Sequence, residues 1–392
     1  MRFYSLPPVR RTVPLRRGDS TVSRSMERFF GDRRVTLWSS GTAALSEAIR
    51  RCALRSGANA PEVILPAYGC PDLISACIHA SVIPRLIDLA PELWSYDYAM
   101  LTRQVTANTV AIVAVNLLGI GDDAAQLREF CDANGIALIQ DSAQHLPRTA
   151  VDWPGDYVVL SFGRGKPLNL LQGGALVSRF ETSRTQVTTP TRFPFKTRLL
   201  TTRAAGIAFD ALTHPWIYGV LSALPGTGLG DVVYEPLDTD ARLPDSFWRI
   251  VGPAFEQYRI TPSYRHAVWS PAFDRWSALG IQELKSPAAP SNPEPLRLAL
   301  LAPDRGSRDA LVESFNHAGI GSSPLYGTDL PGISGIPEVV KAQRPFPQAA
   351  RLAGRLFTLP THSFVNARTV RTSLEVLDNW RHVSRPTLPR DR

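Results

Sequence analysis

The chain has 392 residues, 44% of them hydrophobic and 20% charged, a balance that excludes a disordered or fibrous protein and allows one large or two medium buried cores. The formal net charge is +8, with arginines gathered near the ends at Arg10, Arg11, Arg16 and Arg17 and at Arg381, Arg385, Arg390 and Arg392. No nucleic-acid-binding motif accompanies them, so they read as solvated tails with some attraction for an anionic substrate, and no nucleic-acid partner is expected. The cysteines Cys52, Cys70, Cys77 and Cys131 form neither a Cys-x-x-Cys pair nor a metal spacing, so no metal is expected and the usage suits a reducing, cytoplasmic setting. The opening MRFYSLPPVRRTVPLRR lacks the continuous apolar core of a secretion signal, and no run is long and apolar enough to span a bilayer.

Residues 1 to about 25 are rich in Pro and Arg and predict an extended arm, followed by a short helix from Ser25 to Phe30. Val35 to Trp38 is strand-like. Small residues from Ser39 to Thr42 then open a helix running to about Arg55, with Ala44, Leu45, Ala48 and Ile49 on its apolar face. Two readings of that helix start stand side by side: a simple Ser/Thr cap, or an anion site at the positive end of the helix dipole. An alternation follows, with strands at Glu62–Leu65, Pro84–Asp88, Thr109–Val115 and Ile136–Gln140 and helices from Leu73 to Ser81 and from Ala124 to Asn134. Short apolar runs alternating with helices predict a mainly parallel sheet covered on both faces, with ligands bound beyond the carboxyl ends of the strands. Asp141, Gln144 and the Asn116 turn lie at such ends. Asp141 is either a helix cap or a carboxylate placed to pair with a protonated heterocycle nitrogen.

The stretch Asp156 to Ser178 holds two short apolar runs, with Ser161-Phe162, a glycine-flanked turn ending at Lys166, and the pair Gly173-Gly174 between them. Lysine is rare here: only Lys166, Lys196, Lys285 and Lys341 occur. A surface lysine in a turn is one reading, and an amine placed for Schiff-base chemistry is the other. A phosphate-binding loop is excluded, because Leu160 stands where its first glycine belongs and Pro167 where its Ser or Thr belongs.

From about 184 to 244 the alternation stops. An apolar segment with Arg192, Lys196, Arg198 and Arg203 reads either as buried or oligomer-facing helices or as an interfacial pair that docks on a membrane surface. Residues 245–280 read as helical and Ser286 to Pro295 as a loop. A strand at Leu296–Ala302, a helix at Arg308–Ala318, a loop-rich stretch over 321–347 and a last helix after Asn366 complete a smaller α+β domain. The expected division is 1–245, with the arm and the insert, and 246–392.

Taken in order, these motifs resemble the DegT/DnrJ/StrS-type sugar aminotransferases, within the fold-type-I enzymes of pyridoxal 5'-phosphate (PLP). The matching stretches are Ser40 to Leu45, Pro66-Ala67-Tyr68, Leu118-Gly119, Asp141 to Gln144, Ser161-Phe162 through Lys166, and Gly173-Gly174. AGIGSSPLYG (Ala318 to Gly327) and LFTLPTHS (Leu356 to Ser363) are similar to the family's small domain. The resemblance implies an α/β fold with a large PLP-binding domain and a small C-terminal one. It implies that Lys166 holds PLP as a Schiff base and shuttles a proton, that Asp141 pairs with the pyridine nitrogen, and that Gln144 sits near the ring or its phenolic oxygen. Gly41, Thr42 and Ser161 would hold the phosphate. Dehydratase members carry His at the lysine position, so Lys166 favours transamination.

The chain also departs from the family pattern. Cys70 occupies the place of the aromatic that stacks on the ring, so that either Tyr68 stacks instead or the ring is held differently. Asn116-Leu117-Leu118-Gly119 replaces a His-Leu-Tyr-Gly stretch, and the insert replaces a Gly-x-Asn-x-Arg segment that reaches the neighbouring subunit's phosphate. The resulting expectation is a cytoplasmic, homodimeric PLP aminotransferase moving an amino group from an amino acid, such as glutamate, to a nucleotide-linked keto-sugar. A different PLP reaction on the same fold and a catalytically idle regulatory member are the competing readings.

Overall fold

Seven short strands, each with apolar residues pointing alternately to opposite faces, form the central sheet of the computed structural model. The structure describes residues 4–7, 9, 11–13, 23–180, 195–222, 232–261, 267–287 and 295–383. The strands are β1 (Arg34–Trp38), β2 (Glu62–Pro66), β3 (Ile83–Ile87), β4 (Thr109–Val115), β5 (Ala137–Asp141), β6 (Tyr157–Ser161) and β7 (Gly174–Ser178). Their order is β1-β7-β6-β5-β4-β2-β3. Strands β2 to β6 run parallel, and β7 is antiparallel to both its neighbours. Val63, Val113, Ile139 and Val159 join the helix Gly41–Ser56 in one core, while Ile64, Ile112 and Leu138 pack on the other face. Burial on both faces is why these strands read as continuous apolar runs.

The helix Trp248–Ile260 corrects the expected division at 245/246. Its Val251, Ala254, Phe255 and Tyr258 share a core with Val158, Leu160 and Val177 of β6 and β7. A cut at 245 would sever that helix from the sheet it covers. The smaller unit is the antiparallel sheet β8 (Gln282–Glu283), β9 (Arg297–Leu301) and β10 (Leu356–Pro360), in order β10-β9-β8. Its core holds Trp269, Trp276, Phe315 and Phe357 beside the helices Arg305–His317 and Ala367–Val383. Asp88, just past β3, accepts from Gln348 N–H at 2.9 Å and Ala349 N–H at 2.8 Å, tying the start of the helix Pro347–Arg355 to the large sheet.

The described part of the arm runs as a strap. Ser5 N–H donates to Pro215 O at 3.0 Å, Leu6 N–H to Gly319 O at 2.9 Å and Val13 N–H to Asn169 O at 3.0 Å. Leu6 is buried in the core of the smaller unit. The rest of the arm, residues 181–194 and 223–231 of the insert, most of the Ser286–Pro295 loop, and Arg385, Arg390 and Arg392 lie outside the described residues. Within the insert, the helices Phe195–Leu212 and Pro215–Ser222 are described. Part of their surface faces away from the chain: Ile207 is 73% exposed and Trp216 58%. No helix among the described residues is long and apolar enough to cross a membrane.

Candidate active site

The site forms where β4, β5 and β6 end. Asp141 is the last residue of β5, and its Oδ1 accepts from Ala143 N–H at 2.9 Å. A turn follows it, not a helix, so the helix-cap reading of Asp141 gives way to that of a carboxylate presented at a strand end. Burial pushes this carboxyl above its ordinary range, against the Ala143 N–H and the nearby charge of Lys166, which both favour ionisation. Asn116, one residue past β4, donates from Nδ2 to Ser142 Oγ at 2.6 Å and steadies the same turn.

Of the two readings of the helix start, the cap is observed directly. Ser40 is the N-cap of the helix Gly41–Ser56, its Oγ accepting from Ala43 N–H at 3.0 Å. The capped end, with Gly41 and Thr42, opens on the pocket, where the dipole favours an anion. Glycine makes this approach feasible. A Cβ on Gly41 would lie 2.7 Å from Ser161 Cβ, and one on Gly174 would lie 2.6 Å from backbone atoms of Ser40 and Gly41. Only chain without a side chain lets the helix end sit against β6 and β7.

Lys166 closes the turn after β6, with its N–H on Gly163 O at 3.3 Å and Gly165 at φ +72° just before it. It lines two adjoining cavities. The inner one, ≈ 50 Å³, is bounded by Gly41, Thr42, Asp141 and Ser161, and the outer one, ≈ 500 Å³, by Arg164, Glu235 and Leu296 among others. Cys70, Asp72, Gln144, Lys166 and Tyr326 border both. Gln144 is fixed at both ends: Oε1 accepts from Leu118 N–H at 2.9 Å and Nε2 donates to Tyr326 Oη at 3.0 Å.

Seven of the eight expected site residues therefore meet at one place: Gly41, Thr42, Cys70, Asp141, Gln144, Ser161 and Lys166. Tyr68 does not, which corrects its expected ring-stacking role. It is fully buried outside the cavity lining, edge-on to Trp94 at 6.3 Å and to Tyr326 at 5.4 Å. The chain leaves β2 at Pro66 and bends at Gly69, φ +158°, after which Cys70 lines the pocket. Tyr326 and Asp72 were not foreseen as site residues. Tyr326 lies in the Ala318–Gly327 stretch, whose likeness to a small domain gave no sign that it reaches the strand ends.

A phosphate, a ring nitrogen able to carry a proton and a carbonyl that takes an amine are the three handles of PLP. The residues present fit it: a helix end for the phosphate, a carboxylate whose pKa burial raises for the ring nitrogen, and Lys166 for the carbonyl.

The sheet order, with its single antiparallel strand, and this pocket define the fold of a fold-type-I PLP aminotransferase. Residues 19–200 match the model of the DegT/DnrJ/EryC1/StrS aminotransferase family. It is 30% identical over 172 residues to L-glutamine:2-deoxy-scyllo-inosose aminotransferase of Streptomyces kanamyceticus, covering 42% of this chain and 40% of that one. It is 28% identical over 155 residues to GDP-perosamine synthase of Vibrio cholerae, covering 38% of this chain and 41% of that one. The chain spans about a third to two-fifths of the length of the curated relatives it matches. Among solved structures, NtdA of Bacillus subtilis with bound cofactor PMP superposes with TM-score 0.65 at 15% identity, covering 93% of this chain and 78% of that one.

Proposed function

We propose that this chain is a PLP-dependent aminotransferase that moves an amino group from an amino acid to a keto-sugar or a related cyclic ketone. The observation that carries the reading is the convergence of Lys166, Asp141 and the Gly41–Thr42 helix end on one cavity beyond the strand ends. When bound, the cofactor supplies an electron sink for the substrate carbon that loses its proton. Lys166, at the border of the two cavities, would bind the cofactor carbonyl and move that proton. Asp141 would hold a proton on the ring nitrogen, and the cation there would offset the cost of burying the carboxylate. The helix end would hold the phosphate, and Gln144 keeps Tyr326 and Leu118 in register at the mouth.

The outer cavity, which both Arg164 and Glu235 line, is wide enough for a sugar and supports a polar, hydroxyl-bearing acceptor. A nucleotide-linked sugar and a glutamate or glutamine donor are the finer form of the reading. The names of the Vibrio and Streptomyces relatives support it, as they do a role in polysaccharide or secondary-metabolite synthesis. A homodimer in the cytoplasm completes it, and the exposed apolar face of the helices Phe195–Leu212 and Pro215–Ser222 offers surface for a second copy.

Reduction of the protein with borohydride in the presence of PLP, followed by peptide mapping, tests the reading. The expected result is a cofactor adduct on Lys166 and loss of colour from the unreduced enzyme when an amino donor is added. A wild-type protein that takes no adduct would sink it. An adduct with no response to any amino acid would favour a different PLP reaction on the same fold.

A further inference from the structure

We infer that Tyr326 supplies the aromatic face against which the cofactor ring rests, in place of the residue at position 70, and so stands between the cofactor and substrate compartments. The inference rests on the PLP reading above. Tyr326 is the one aromatic among the described residues that line the inner cavity, and it borders the outer cavity as well. Cys70 shares both borders, but a thiol offers no ring face, and burial pushes it up to about 12, so it stays a neutral, small wall. The space left by a small residue at 70 is reached from the far side of the chain by Tyr326.

Three features hold the ring in that place. Gln144 Nε2 donates to its Oη at 3.0 Å. Tyr68 packs edge-on beneath it, with ring centroids 5.4 Å apart and planes at 62°. The backbone turns sharply on either side, with Leu325 at φ +60° and Gly327 at φ +71°, so one side chain projects inward from a tight bend. Burial holds the phenol well above its ordinary pKa, so it stays neutral. Having accepted from Gln144, it keeps its own proton for a bond toward the pocket. The Gln144 bond also fixes the ring plane, which makes Tyr326 a positioning residue for the cofactor and a wall for the substrate. Lys166 and Leu325 line the outer cavity with it.

The test is the affinity of PLP itself, measured by fluorescence titration, together with the induced visible circular dichroism of the bound cofactor. Tyr326→Ala should weaken PLP binding by about 3- to 10-fold, the worth of one aromatic pair, and reduce the induced signal. Tyr326→Phe keeps the ring face and should bind within about twofold of wild type. Moving the ring across, as Cys70→Tyr in the Tyr326→Ala background, should restore both affinity and signal, which a merely structural role would not produce. If Tyr326→Ala lowers the melting temperature, Tyr326→Leu keeps most of the volume without the ring and is read in its place. Unchanged affinity and dichroism in the ringless variant, or equal losses in the Phe and ringless variants, would overturn the inference. A wild-type protein with no adduct on Lys166 would instead overturn the PLP reading beneath it, so the two failures are told apart.

Discussion

The pocket at the strand ends and the helix pair of the insert are both costly for stability, but in opposite directions. The pocket turns its costs inward: a buried carboxyl with a raised pKa, glycines in van der Waals contact with backbone, and a tyrosine held in a bent loop. The helix pair turns its costs outward, with Ile207, Leu212, Trp216, Ile217 and Val220 all exposed. Inward costs that converge on one volume describe a site for a small molecule. Outward apolar surface describes a site for another surface. The comparison can be broken by variants that leave one region untouched.

The largest effect is expected at Lys166. Lys166→Ala should lower the rate of amino transfer by roughly 10²–10⁴-fold and remove the borohydride adduct, with the melting temperature close to wild type. Retained amino transfer in that variant would move the chemistry elsewhere. Gly174→Ala comes next. Its Cβ has only backbone to meet, at 2.6 Å, so the helix end must shift. A loss of about 1–3 kcal/mol in denaturant unfolding is expected, with weaker binding of PLP and of inorganic phosphate. If stability falls while phosphate binding is unchanged, the helix end is not the anion cradle.

These residues were legible for a physical reason. Gly41, Asp141, Lys166 and Gly174 lie where one local pattern gives way to another, at a strand end, a helix start or a turn, and such junctions show in a short window of sequence. The parallel strands were legible too, because burial on both faces leaves an apolar run, as at Thr109–Val115. What depends on distant chain was not. Tyr326 meets its partner Gln144 across 182 residues. Tyr68 was placed at the ring because it sits in the matching turn, but nothing in that turn says which of residues 68 and 70 points inward. The helix Tyr98–Gln104 was missed because Leu101 is its one buried residue, so it has no apolar face to repeat. The division near 245 failed because membership of a core is settled by packing, here of Phe255 and Tyr258 onto β6 and β7.

On the other side of the comparison, Ile207→Asp combined with Trp216→Asp should change stability little, within about 0.5 kcal/mol, because both side chains are mostly in water. Light scattering after gel filtration should show the wild type as a dimer and the double variant shifted toward monomer. If the wild type is monomeric and sediments with anionic vesicles at low salt, and the variant does not, the face meets a membrane surface instead. If neither property changes, this surface has no partner in either sense.

The smallest effect separates function from stability within the pocket itself. The Asp141 carboxyl is raised above its ordinary value by burial, so the folded chain binds its proton more tightly than the unfolded chain does. Its contribution to stability is therefore fully present below the ordinary carboxylate range, about 3.9, and is lost as the pH rises through the folded pKa. Asp141→Asn does not titrate and keeps an oxygen for the Ala143 N–H. The apoprotein carrying it should melt higher than wild type at neutral pH, and the gap should close as the pH falls toward 4. The same variant should lose amino transfer, because an amide does not hold a proton on the ring nitrogen. PLP should stabilise wild type more than the variant, since the protonated ring supplies a cation for the buried carboxylate. An apoprotein stabilised by this change and an enzyme disabled by it would mark Asp141 as a group kept for chemistry; equal melting curves at neutral pH would mean that the carboxylate is already compensated without the cofactor.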